Sequence, residues 1–168
     1  MSSIVVGYDF SHTGHAALRR AVILAAAEGH VLHVMCVLDA SDPLPSIPAD
    51  AGVDDHYVDR VMRALDVCVR DELLDTAPGV DIPFQVHARI GKPAKELVAL
   101  AREVAAELVV VGSHELTGLE RLLVGSVSAA VTREANCSVE VVKGGRSHGR
   151  ASLEAWRNYG SPTTHRSS

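Results

Sequence analysis

Five short aliphatic runs alternate along the chain with stretches whose apolar residues recur every three to four positions. The first run, Ile4-Val5-Val6-Gly7-Tyr8-Asp9, is apolar enough for a strand buried on both faces. Ser11 is placed to cap a helix in which Leu18, Ala21, Val22 and Ala25 recur at i, i+3, i+4 and i+7, and Gly29 ends it. Residues 31–38 form a second run, interrupted only by His33, and residues 39–52, with Pro43, Pro45 and Pro48, read as an exposed loop. Val58, Val61, Met62, Leu65 and Val69 mark a long amphipathic helix closed by Pro78-Gly79. Residues 84–88 alternate as a strand with one wetter face does. Pro93 suits the first position of a third helix striped by Leu97, Leu100, Ala101 and Val104. Residues 108–111 are the most apolar strand of all. A glycine-bearing loop then leads to Gly125-Ser126, which opens a helix carrying Val127, Ala130 and Val131, and residues 139–143 alternate again.

Alternating strands and helices predict an α/β domain: a single doubly wound, five-stranded parallel sheet with helices on both faces. The first, second and fourth strands are the most continuously apolar and belong inside, while the alternating third and fifth belong at the edges. Right-handed crossovers then favour the order 3-2-1-4-5. In that order the chain reverses direction between strands one and four, and ligands of such sheets bind at the carboxyl ends there. The loops at that point are residues 9–14 and 112–125.

Composition narrows the partners. At 168 residues with 47% hydrophobic and 22% charged, the chain suits one domain with a sizeable core. A net charge of −5 argues against nucleic acid. No apolar run approaches the ~20 residues of a membrane span. The start lacks the basic and apolar regions of a secretory signal, which points to a cytoplasmic protein. Cys36, Cys68 and Cys137 are odd in number, widely spaced and in apolar settings, so buried reduced thiols are expected. From Gly144 to Ser168 the sequence turns to Gly, Ser, Arg and His and reads as a mostly disordered tail.

The stretch Val109-Val110-Val111-Gly112-Ser113-His114-Glu115, continuing to Gly125-Ser126-Val127-Ser128, is a phosphate site in outline. Gly lets backbone approach a ligand, and the first turn of a helix offers unpaired N–H donors. Tight strand-to-helix turns use the same residues without any ligand. Neither a P-loop nor a GxGxxG fingerprint is present, and no GxSxG elbow marks a nucleophile. Asp9 can accept hydrogen bonds from ribose hydroxyls or serve as a turn residue, and the sequence weighs the two evenly. His114 stands equally between a phosphate contact and a surface histidine. His12 and His15 read as exposed helix-start histidines and not metal ligands, and His33 and His87 as strand residues with satisfied or solvated rings. Asp54, Asp55, Asp59 and Glu72 read as the solvated face of the second helix.

With these residues in view, the chain resembles the universal stress protein family over residues 3–143. The matching features are Ile4 through Ser11, Val34-Met35-Cys36-Val37, Gly91-Lys92-Pro93, the block 109–128, and Asn136 through Val142. Gly112 and Gly125-Ser126 fill the outer places of the glycine pattern of ATP-holding members, and Glu115 stands where they carry a middle glycine. The resemblance implies a Rossmann-like fold and a nucleotide site drawn from Asp9, Phe10, Ser11, Val37, Gly112, Ser113, His114, Gly125, Ser126, Val127 and Ser128. Asp9 takes the ribose side, Val37 offers backbone to adenine, and Gly125 to Ser128 form the phosphate cradle. The implied ligand is ATP or AMP, with Mg2+ accompanying ATP, in a cytoplasmic, regulatory stress-response homodimer joined through its fifth strand. Any ATPase activity is expected to be slow, and a non-enzymatic role is favoured. The alternative is an interaction module of the same family that has given up ATP, or a binder of AMP or cyclic AMP, because of Glu115.

Overall fold

The apolar runs become β1 (Ser3–Gly7), β2 (Val31–Leu38), β3 (Phe84–Ile90), β4 (Leu108–Gly112) and β5 (Ser138–Val142). They pair in parallel in the order β3-β2-β1-β4-β5, as the burial argument required. The helices are α1 (His12–Glu28), α2 (Asp55–Thr76), α3 (Pro93–Glu103) and α4 (Ser126–Glu134). This computed structural model describes residues 1–39, 55–113 and 125–144. The expected loop at 40–54, the segment holding His114 and Glu115, and the tail from 145 onward lie outside the described residues.

Because side chains alternate along a strand, each inner strand feeds two cores. Ile4, Val6, Leu32, Val34, Cys36 and Val110 pack with α1 and α2, and Val5, Met35, Val109 and Val111 pack with α3 and α4. Ser11 caps α1 by accepting from Gly14 N, and Gly29 ends it at φ +73°, a conformation that a side chain would strain. Pro93 opens α3 as expected. Strand β3 runs to Ile90, two residues past the alternating stretch. There Leu38 still offers a partner, and Arg89 is tied to Glu96 and Glu103 of α3 at 3.6 and 2.5 Å. Of the three cysteines, Cys36 and Cys68 are buried as expected, whereas Cys137 is half-buried.

Glu72 overturns one expectation. It is 2% exposed, not part of a solvated face. The stripe Val61-Leu65-Cys68-Val69 continues into Glu72 at helical spacing, so helix geometry carries the carboxylate into the α1–α2 seam. There it accepts from His15 Nε2 at 2.9 Å, Arg19 Nε at 3.0 Å and the Thr76 hydroxyl. His15 is accordingly half-buried, not an exposed helix-start histidine. Burial pushes the Glu72 carboxyl up, but the bonds from His15, Thr76 and Arg19 outweigh it and hold it below the ordinary range.

A carboxylate with three donors destabilises the fold when its charge is removed, because its partners lose a strong acceptor. Glu72→Gln is expected to cost about 1–3 kcal/mol at neutral pH in urea unfolding. Since the folded carboxyl titrates below the unfolded one, the wild-type advantage is full above about pH 4.3 and fades as pH falls through the lowered folded value. An advantage that stayed constant across that range would show that Glu72 is not the charged hub of the seam.

Candidate functional site

Both candidate loops emerge at the carboxyl ends of β1 and β4, where the winding direction reverses. β1 ends at Gly7, while β2 continues three residues beyond Met35, the partner of Gly7. The hydrogen bonds define what the longer strands present. Tyr8 N donates to Met35 O at 2.9 Å, so Met35 faces β1, and Gly91 N donates to Leu38 O, so Leu38 faces β3. By that alternation Val37 directs its N–H and C=O to the β1 side, past the point where β1 has ended. From the opposite wall Ser113 N donates to Val142 O at 2.8 Å, which turns Gly112 toward β1. A crevice results, with backbone of β2 and β4 as walls and the β1–α1 turn as floor.

The floor is internally braced. Asp9 Oδ1 accepts from Ser11 N at 3.0 Å and from the Ser11 hydroxyl, and the Ser11 hydroxyl accepts from Gly14 N at 3.0 Å. Asp9 therefore performs the turn role foreseen for it while remaining exposed at the crevice. Phe10 adopts φ +60°, uncommon for a residue with a side chain, and its ring meets Tyr8 edge-on at 5.0 Å. Nothing in the sequence signals that conformation.

Gly112 has a packing reason of its own. A Cβ on it would lie 2.5 Å from the carbonyl carbon of Thr13 and 2.6 Å from its oxygen, so the first turn of α1 occupies the side a methyl would take. Beyond it Ser113 is 8% exposed, and its hydroxyl has no hydrogen-bond partner among the described residues. His114 lies outside them.

Helix α4 begins where expected, with Gly125 as its N-cap and no side chain capping the first turn, which also holds no acid. Among the described residues, no side chain takes up its leading N–H groups, the kind of donors that suit an anion. Ser126 is exposed, and Val127 packs against the α3–α4 core. Ser128 is 2% exposed and donates its hydroxyl to Gly125 O at 2.9 Å, which makes it a brace of the cradle. Cys36, beneath the crevice, is chemically quiet, since burial foremost and the charge of Asp9 next push its thiol up to about 12. Lys92 reaches Asp39 at 3.1 Å and ties the start of α3 to the end of β2.

Strand order and reversal point define a doubly wound α/β domain. The sequence pattern described as the universal stress protein family matches residues 1–143, and the chain belongs to that family. It is 29% identical over 140 residues to the universal stress protein MJ0531 of Methanocaldococcus jannaschii, covering 83% of this chain and 81% of that one. Universal stress protein YxiE of Bacillus subtilis is 28% identical over 148 residues, covering 84% of this chain and 99% of its own. A universal stress protein crystallised in complex with cAMP superposes with a TM-score of 0.62 at 25% identity, covering 86% of this chain and 98% of that one.

The packing at Gly112 yields a direct test. Gly112→Ala is expected to cost about 1–3 kcal/mol, because backbone of Thr13 cannot rotate out of the way as a side-chain tip would. An unchanged urea midpoint would mean that α1 shifts freely and that the crevice floor is not pinned there.

Proposed function

We propose that this chain is a cytoplasmic, regulatory stress protein that binds an adenine nucleotide in the β1/β4 crevice. The observation that carries the reading is the buried Ser113 hydroxyl, unpartnered among the described residues at the end of β4, with the start of α4, which no described side chain caps, following in the chain. An unpaired buried hydroxyl costs about 1–3 kcal/mol, and a ligand oxygen would relieve it. Val37 offers backbone donors and acceptors suited to an adenine edge, and the exposed Asp9 stands at the ribose side. Ser126 and the first N–H groups of α4 suit phosphate. The relative crystallised with cAMP supports the ligand class. Mg2+ would enter with a triphosphate, and turnover would be slow, since among the described residues the braced Asp9 and Ser11 leave no general base with an orienting partner.

Titration calorimetry with AMP, cyclic AMP and ATP tests the reading. Ser113→Ala is expected to weaken AMP binding by about tenfold, the worth of one hydrogen bond, without destabilising the empty protein. Glu115 lies outside the described residues. From its place in the phosphate loop, Glu115→Gly should strengthen ATP binding by roughly one order of magnitude, and AMP binding by less. If none of the three nucleotides binds at about 1 mM, the interaction-module alternative takes over.

The same reading includes a homodimer through β5. Ser138 N donates to Glu107 O and Ser113 N donates to Val142 O, so Val139 and Val141 turn their N–H and C=O groups outward along an exposed edge. Such an edge invites pairing, and antiparallel addition across a two-fold axis closes it. Val141→Pro removes an outward donor but no bond to β4, so light scattering should show the dimer divided into folded monomers. A wild-type monomer at tens of micromolar, a modest concentration on the affinity scale, would sink this seam.

A further inference from the structure

His33 of β2 and His87 of β3 meet on the α3 side of the sheet. His33 Nδ1 and His87 Nε2 are 3.2 Å apart, with ring centroids 5.4 Å apart and planes 27° from parallel. The centroid separation is the N···N distance plus about two ring radii. Both nitrogens therefore lie on the line joining the rings, and their in-plane directions meet head-on. A metal between them would need ~2.0–2.1 Å to each nitrogen, more than this gap allows on a straight line. One proton fits.

We propose that the His33–His87 pair is a one-proton latch that fastens the edge strand β3 to β2 and opens in acid, when both imidazoles are protonated. In the neutral pair one ring N–H donates to the lone pair of the other. A first added proton goes to an outer nitrogen and leaves the bridge in place. A second sets N–H against N–H and two cations against each other, so the bridge is lost. Glu103 partly offsets charge at His87 but is already bound to Arg89. Arg89, two residues along β3, adds like charge, and the carboxylates of α3 nearest to it, Glu96 and Glu103, are engaged by Arg89. From β1 and β2 the neighbouring side chains of this core are Val5, Met35 and Val37.

Burial holds His33 below the ordinary histidine value. Burial, then the charges of His33 and Arg89, do the same for His87, with Glu103 opposing. For groups lowered on folding, the bridge stabilises fully above the unfolded value of about 6.5. That contribution fades as pH falls through it toward the folded values. β3 feels the loss first, because among the described residues β2 is its only neighbour in the sheet. Its charged ties, such as Arg89 to Glu103 and the Arg70 guanidinium 5.1 Å above the Phe84 ring, do not titrate in that range.

The test uses the whole chain, with imidazole nitrogens and backbone amides followed by NMR from about pH 8 to about pH 5. The two rings should titrate as one coupled unit, below the ordinary histidine value. Amides of residues 84–90 should lose exchange protection roughly tenfold more than those of β1 and β4. His87→Gln keeps a donor and an acceptor at that position but takes up no proton, so the selective acid loss should vanish. The latch is overturned if the rings titrate independently at the ordinary value. It is equally overturned if β3 loses protection only in step with the whole sheet, or if His87→Gln retains the selective loss. Should His87→Gln not fold, the wild-type titration and exchange pattern decide alone.

Discussion

Helix α1 reaches the end of β4 because Gly112 has no side chain. The space a methyl would fill is taken by backbone of Thr13, and backbone cannot give way as a rotamer can. That contact brings the first turn of α1 from β1 to lie over β4, across the point where the winding reverses. Everything at the crevice hangs from it. The Asp9–Ser11 turn is the short chain between β1 and the pinned helix, and Phe10 takes its strained conformation to make that turn in so few residues. The glycine that reads as a ligand's approach point is, on this side, the approach point of the protein's own helix.

The first half of α1 is also held by charge. Arg20 reaches Glu140 on β5 at 2.7 Å, and His15 and Arg19 reach Glu72 on α2. The first pair is nearly half exposed and contributes little. Glu72 is buried, and its three donors offset a desolvation that would otherwise neutralise it. Apolar packing could fill that seam as tightly, but without fixing the axial register of α1 against α2. A carboxylate that must meet His15 and Arg19 of α1 resists a slide of α1 along α2, so the polar seam and the Gly112 contact together set where α1 begins.

Most of the fold was legible in the sequence, for a reason visible in particular strands. A parallel strand buried on both faces must be apolar at every position, so residues 4–6 and 108–111 announce themselves as interior, and the alternating 84–88 as an edge. Helix ends were equally plain, because Ser11, Gly29 and Pro93 do there what only a few residue types do well. Glu72 was misread because a charged residue at a stripe position looks like the margin of the stripe until its partners on another helix are known. Thr76 sits one turn along the same helix, but His15 and Arg19 of α1 are not marked as partners by any local spacing. The His33–His87 meeting depends on register: His87 pairs with Met35, two residues along β2 from His33, and a slip of one residue would send the rings to opposite faces. The strain at Phe10 has no sequence signature at all.

The candidate site divides by a simple accounting of hydrogen bonds. A polar group already bonded within the chain shapes a crevice, while a buried one left unbonded is a cost that folding alone does not repay. Ser11 and Ser128 are bonded inwardly, to Asp9 and Gly125, and act as braces although both look like ligand contacts in the sequence. Among the described residues, Ser113 and the leading N–H groups of α4 are left over after that accounting. The residues that build the site and those that would recognise a ligand are therefore different sets, interleaved within the same two loops. A linear motif cannot separate them, because Gly and Ser serve both purposes. The distinction appears only when each donor is followed to its acceptor.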